Sequence, residues 1–200
     1  MKDHTYIVAI SGASGSIFGI RLIRALLKAK TRVMVIVSNS GLSVLEYEMG
    51  YNREDSFIDF LSSLNIEITP ETRLELFFED EIASAPASGS FVHSGMVIVP
   101  CSMKTLAGVA GGYADNLITR SADVSLKEKR PLILVPRETP YNLIHLENMT
   151  RAARAGALIL PPNPSFYTFP ETIEDLVDTI ISRILDHLGV EHNLLSRWGS

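Results

Sequence analysis

Five short runs of this chain are apolar at every position: Tyr6–Ile10, Val33–Val37, Met96–Val99, Leu132–Val135 and Ala157–Leu160. Unbroken apolar runs, without polar alternation, predict β-strands covered on both faces. Between and after them, Ile17–Lys30, Lys104–Gly111, Asp115–Lys127, Tyr141–Ala155 and Glu171–Leu188 read as helices. Strands alternating with helices imply right-handed crossovers and an α/β architecture: a doubly wound, mostly parallel sheet with helices on both faces. Residues 49 to 95 carry no clear period, although Leu74–Phe78 is compatible with a strand and "ASAPASGSF" reads as a loop. No repeat, low-complexity tract or linker divides the chain, so one domain is expected over residues 1–200.

The last helix has the best-defined stripe. Ile173, Leu176, Val177, Ile180, Ile181, Ile184, Leu185 and Leu188 recur at helical spacing and predict one broad face turned to the core. Arg183 lies at the edge of that stripe, where an arginine ordinarily snorkels to solvent.

With 200 residues and 46% hydrophobic content, the chain can bury a full core. Eighteen basic against twenty-three acidic residues give a net charge of -5. No dense Lys/Arg block is present, which argues against a nucleic-acid surface and against polybasic membrane attachment, and turns attention to a small-molecule partner. Cys101 is the only cysteine, so no disulfide forms within the chain. The apolar segment at the N-terminus is short for a signal peptide and no apolar run has the length of a membrane span. The expectation is a cytoplasmic protein.

In an open parallel sheet, ligands bind outside the carboxyl ends of the strands. The residues after each run are therefore the ones to read, and five such segments should meet on one rim. "SGASGSIFG", residues 11–19, is not the dinucleotide fingerprint, because Ser14 stands where G-x-G-x-x-G needs glycine, and Walker A's G-K-[ST] is absent. Gly12 and Gly15 instead form a turn whose N–H groups, with the Ser14 hydroxyl, can face an anion at a helix start. The plain alternative is a tight turn with Ser14 as the N-cap. Ser102 and Thr105, with Lys104, mark a second helix start with hydroxyls, and two such starts on one rim suit a phosphate-bearing ligand with a polar ring, such as FMN. A pair of N-caps is the simpler reading. Arg137 follows a buried strand and matches phosphate bidentately; Glu138 beside it is either its ion partner or a proton carrier. Arg120 and Lys127 are two helical turns apart on one face and can clamp a second phosphate, or belong to a solvated face. The histidines show no metal-ligand spacing, and no metal is expected.

"SGASGSIFGIRL", "PASGSF", "PCSMKTLAGVAGGYADNLITRSADVSLKEKRPLILVPRETP", "HLENM" and "GALILPPNPSFY", in this order and down to a terminal "RWGS", resemble the flavin prenyltransferase family of the UbiX/Pad1 type. Residues 49 to 82 match least. The resemblance implies a flavodoxin-like or Rossmann-like three-layer sandwich. It also implies a metal-independent transferase that joins a dimethylallyl group, from dimethylallyl monophosphate, to N5 and C6 of reduced FMN. The product, prenylated FMN, is the cofactor of UbiD-type decarboxylases. Carried over by motif, Gly12, Ala13, Ser14, Ser38, Ser102, Met103, Lys104, Thr105 and Arg137 would bind FMN, with its phosphate near the glycine turn. Ser88, Gly89, Arg120, Lys127, Tyr167 and Arg183 would bind the prenyl phosphate, and Glu138, Ser14, Glu48 and Lys127 would serve catalysis. The family forms trimers gathered into dodecamers, so the C-terminal segment 171–200, with Arg183, and Tyr167 are expected to help complete a neighbour's site. The alternatives are an FMN-dependent cysteine decarboxylase of the phosphopantothenoylcysteine type, whose P-x-M-N-x-x-M-W segment is replaced here by "PPNPSFY", and a non-catalytic FMN-binding partner subunit.

Overall fold

The first apolar run becomes the centre of a sheet. In a computed structural model describing residues 4–69 and 73–195, every residue of β1 (Thr5–Ile10) is buried. The terminal "RWGS" lies outside the described residues. After β1 come α1 (Ser16–Lys28), β2 (Arg32–Val37), α2 (Asn39–Met49), α3 (Phe57–Ser63) and β3 (Leu74–Phe78). A short 3-10 turn at Ala85–Ala87 precedes β4 (Gly95–Cys101), α4 (Met103–Gly111), α5 (Leu117–Lys127) and β5 (Leu132–Pro136). The chain then runs through α6 (Leu143–Ala155), β6 (Leu158–Ile159) and α7 (Ile173–Leu188).

The strands lie in the order β3-β2-β1-β4-β5-β6, and all of their pairings are parallel. The expected mostly parallel sheet is thus wholly parallel over the described residues. Alternation along β1 sorts the core into two layers. Tyr6, Val8 and Ile10 face α1, α2, α3 and α7. Ile7 and Ala9 face α4, α5 and α6. The stripe of α7 behaves as its spacing requires, with Val177, Ile180, Ile181, Ile184 and Leu185 buried, while Ile173 at its start is exposed.

Two helices were absent from the reading of the pattern. In α2 the stripe is narrow, since Leu42 and Leu45 are buried while Tyr47 is exposed. With seven residues, α3 is too short for a period to show. What holds α3 is aromatic packing, with the Tyr51 ring 5.0 Å from Phe60 and 5.7 Å from Phe57. Boundaries move by small amounts elsewhere: the third run extends to Gly95–Cys101, and the last contracts to Leu158–Ile159.

The loop into β4 buries His93, whose Nε2 lies 3.4 Å from the Ser125 hydroxyl. Burial, reinforced by the nearby Arg130 charge, lowers its pKa from 6.5 to about 4. Between those two values the unfolded chain binds the extra proton, so stability falls as pH drops through this window. His93→Gln cannot titrate. Its thermal midpoint should therefore fall less than that of the native protein between about pH 7 and about pH 5, as read by circular dichroism melts.

Candidate active site at the strand-order reversal

β1 and β4 are neighbours, yet α1 leaves β1 toward one face and α4 leaves β4 toward the other. Such a reversal opens a crevice outside the carboxyl ends of the two strands. Ser11 closes its floor. The buried Ser11 hydroxyl donates to the Pro100 carbonyl at 2.9 Å and accepts from the Ser102 N–H at 2.8 Å. Its own N–H also donates to Pro100, at 3.2 Å.

Ser102 in turn caps α4, its hydroxyl accepting from the Thr105 N–H at 3.2 Å and lying 3.0 Å from Thr105 Oγ1. Ser38 caps α2 by accepting from the Gly41 N–H at 3.0 Å. The simple N-cap reading is therefore correct for Ser102, and capping does not exhaust its role; Ser38 caps a helix that the pattern did not show. Ser38, Ser102, Lys104 and Thr105, together with Gly12, line a cavity of about 450 Å³ that also touches Glu79, Tyr113, Asn116 and Thr119. Its volume is that of a small-molecule site. Two helix starts, hydroxyls and a lysine suit a phosphate, and Ala107, Ile118 and Tyr113 supply wall for a ring, so the residues fit FMN.

The glycine turn differs from its expectation. Gly15, at φ +107°, is the N-cap of α1, so Ser14 is not. The anion at that helix start is the chain's own: the Glu48 carboxylate, from α2, accepts from the N–H groups of Gly15 and Ser16, each at 2.9 Å. Burial opposes the Glu48 charge, but the Ser14 hydroxyl and these N–H groups outweigh it and hold the carboxyl below its ordinary range. Gly12 has a separate reason. A Cβ there would lie 2.3 Å from Ser40 Cβ, so the turn and the start of α2 approach too closely for a side chain.

Ala13 is buried beside this turn, and Met103 opens α4 against the second core layer; neither lines the cavity. Arg137 stands one strand further along, where its N–H donates to the Cys101 carbonyl at 3.1 Å and its side chain is exposed. Glu138 is not its ion partner: the Glu138 carboxylate accepts from the Thr139 N–H at 3.0 Å. Cys101 is fully buried, which pushes its thiol up to about 12 and makes it inert.

The residues assigned to the second phosphate fall into four places. Lys127, its Nζ 2.6 Å from Glu128 Oε1, ends over Gly89, the neighbour of Ser88. Arg120 lies along its own helix, 3.2 Å from Asp123. Arg183, paired with Asp186 at 3.5 Å, stands on α7, across the sheet from α5. Tyr167 is exposed on the loop that leads to α7. Among the described residues no three His, Cys, Asp or Glu side chains gather where they could hold a metal ion.

Sequence reasoning missed Glu79, Asn116 and Thr119. The Glu79 carboxylate accepts from the Asn39 N–H at the start of α2 (2.9 Å), and its carbonyl accepts from Leu117 N–H (2.7 Å). Nothing in its neighbourhood signals this. Asn116 and Thr119 form a reciprocal capping box, whose N-x-x-T spacing was legible.

The family model described as Flavoprotein matches residues 1–185. A flavin prenyltransferase UbiX from Halalkalibacterium halodurans is 43% identical, over 97% of this chain and 93% of that protein. The chain belongs to the flavin prenyltransferase family. Its relatives there include the mitochondrial flavin prenyltransferase PAD1 of Saccharomyces cerevisiae, 40% identical over 96% of this chain and 74% of that protein. A crystal structure of AnUbiX (PadA1) in complex with FMN and dimethylallyl pyrophosphate has a TM-score of 0.89 and 37% identity, covering 100% of this chain and 99% of that one. The FMN-dependent cysteine decarboxylase TvaF, at TM-score 0.61 and 17% identity over 93% of this chain and 98% of that one, shares the fold.

If Ser11 holds the flavin prenyltransferase crevice together, Ser11→Ala should leave the half-buried Ser102 N–H without its acceptor. The expected cost is about 1–3 kcal/mol in chemical denaturation, together with weaker FMN retention measured by fluorescence titration.

Proposed function

We propose that this protein transfers the dimethylallyl group of dimethylallyl monophosphate to reduced FMN, and that a UbiD-type decarboxylase takes up the prenylated flavin. It works in the cytoplasm as a single-domain subunit of a trimer-based homo-oligomer, a dodecamer; among the described residues no helix is long and apolar enough to cross a membrane. The observation that carries this reading is the cavity at the strand-order reversal, where Gly12, Ser38, Ser102, Lys104 and Thr105 come together in a chain 43% identical to a flavin prenyltransferase.

Reduced FMN supplies the nucleophile. The chain's own residues bind and orient it and receive the departing phosphate. Rupture of an allylic C–O bond builds negative charge on that phosphate, which the Lys127 ammonium stabilises beside Ser88 and Gly89. Arg183 lies across the sheet from Lys127 in one chain, which supports a site completed by a second copy. Exposed Leu143 and Ile144 on α6, with Phe166 and Phe169 before α7, supply apolar surface for that association, and a solved UbiX-like protein of Escherichia coli O157:H7, 38% identical with a TM-score of 0.86 over 98% of this chain and 100% of that one, is described as dodecameric. Glu138 stands at the rim after β5, its carboxylate without an arginine partner among the described residues, and carries the proton.

Incubation with reduced FMN and dimethylallyl monophosphate should yield extracted flavin heavier by one five-carbon unit. An unchanged mass would sink the transferase reading and favour a carrier subunit. Glu138→Gln should still bind FMN yet turn over at least about tenfold more slowly, within the roughly 10²–10⁴-fold span for a lost proton carrier. Single-turnover spectra at saturating FMN check this, and a native rate there would contradict it. Arg137→Ala should weaken FMN by about 1.5–3 kcal/mol; stoichiometric flavin in the purified variant would count against that role.

A further inference from the structure

α5 ends at Lys127, and the chain turns back at once. Lys129 takes φ 55°, the left-handed region that a lysine enters at a cost, and the Arg130 N–H closes the turn on the Ser125 carbonyl at 2.8 Å. This turn aims the Arg130 guanidinium at the loop before β4. One of its terminal nitrogens donates to the Phe91 carbonyl at 2.5 Å, the other to the Gly89 carbonyl at 2.7 Å. A planar fork spanning two carbonyls fixes a loop in both position and angle, which a single point donor does not. Within the loop, the Phe91 N–H donates to the Ser88 carbonyl at 3.2 Å, so residues 88–91 form one hydrogen-bonded turn.

The ends of the Lys127–Glu128 ion pair lie over that turn: a Cβ at Gly89 would stand 2.7 Å from Lys127 Nζ and 2.6 Å from Glu128 Oε1. Arg130 reaches the loop from the end of the helix that carries Lys127. Helix, fork and loop therefore form one closed unit, whose dimensions set the gap between Ser88–Gly89 and the Lys127 ammonium.

We propose that Arg130 is a positioning residue for the allylic donor: its guanidinium holds the Ser88–Gly89 turn at the spacing from Lys127 that fits the donor's phosphate. This rests on the function proposed above. The test uses the FMN-loaded protein with dimethylallyl monophosphate, comparing Arg130→Met and Arg130→Lys with the native chain. Arg130→Met should raise the donor KM at least about tenfold, change kcat much less, and leave the FMN Kd within about twofold. Arg130→Lys should fall between, since one ammonium cannot reproduce the fork. Should Arg130→Met fail to fold, Arg130→Lys alone carries the test, with a rise in the same donor KM expected. An unchanged donor KM in the folded variants overturns the proposal. So does a loss confined to thermal stability and FMN affinity, which a merely structural arginine would produce. Native protein that adds no five-carbon unit to the flavin overturns the functional reading and this proposal with it, whereas native transfer with native-like Arg130→Met kinetics overturns the positioning role alone.

Discussion

The Ser11 hydroxyl spans the point where the strand order reverses, and the site depends on that span. Helices departing to opposite faces from β1 and β4 would leave the two strand ends with separate loops and no common floor. One side chain of minimal size, donating to Pro100 and accepting from Ser102, joins them. The bond is buried, so its loss cannot be made good by water at no cost. Once Ser102 is held, its own hydroxyl can cap α4, and the cavity acquires one of its polar walls.

Around this floor the chain places its own carboxylates on two helix starts. Glu48 occupies the start of α1, and Glu79 that of α2. A helix start favours negative charge, and these residues satisfy N–H groups that would otherwise face solvent alone. α4 is capped by a neutral hydroxyl instead, with Lys104 beside it. Of these three starts, that of α4 is the one at which a hydroxyl rather than a carboxylate of the chain accepts the N–H.

The sheet that creates the crevice also divides the cations. Lys127 and Arg130 belong to the layer of α4 and α5, Arg183 to the layer of α1 and α7. No rearrangement of side chains carries an arginine through a buried parallel sheet. A site completed by a second copy, as proposed above, would bring the two groups to one phosphate and use the exposed apolar residues of α6 and of the segment before α7.

Much of the fold was legible because β1, β2, β4 and β5 are buried on both faces, which demands unbroken apolar runs, and because α7 packs one broad stripe. The helix start at Ser102 was legible for a local reason, since an N-cap is written in adjacent residues, whereas the start at Ser38 belongs to a helix that the pattern did not show. The motifs "PASGS" and "LKEKRP" disclosed the family while leaving open how their residues meet. The course of α2 and α3 rests on contacts distant in sequence, such as Glu48 with Gly15 and Tyr51 with Phe60, and no local period records them. Chain pattern therefore determined the layers, the rim and the start of α4, because burial and capping act within a few residues. Tertiary structure alone decided that Ser11 bridges the reversal, that Glu48 rather than Ser14 serves α1, and that Arg130 grips the Gly89 turn, because each is a bond between segments whose separation along the chain carries no signal of their contact.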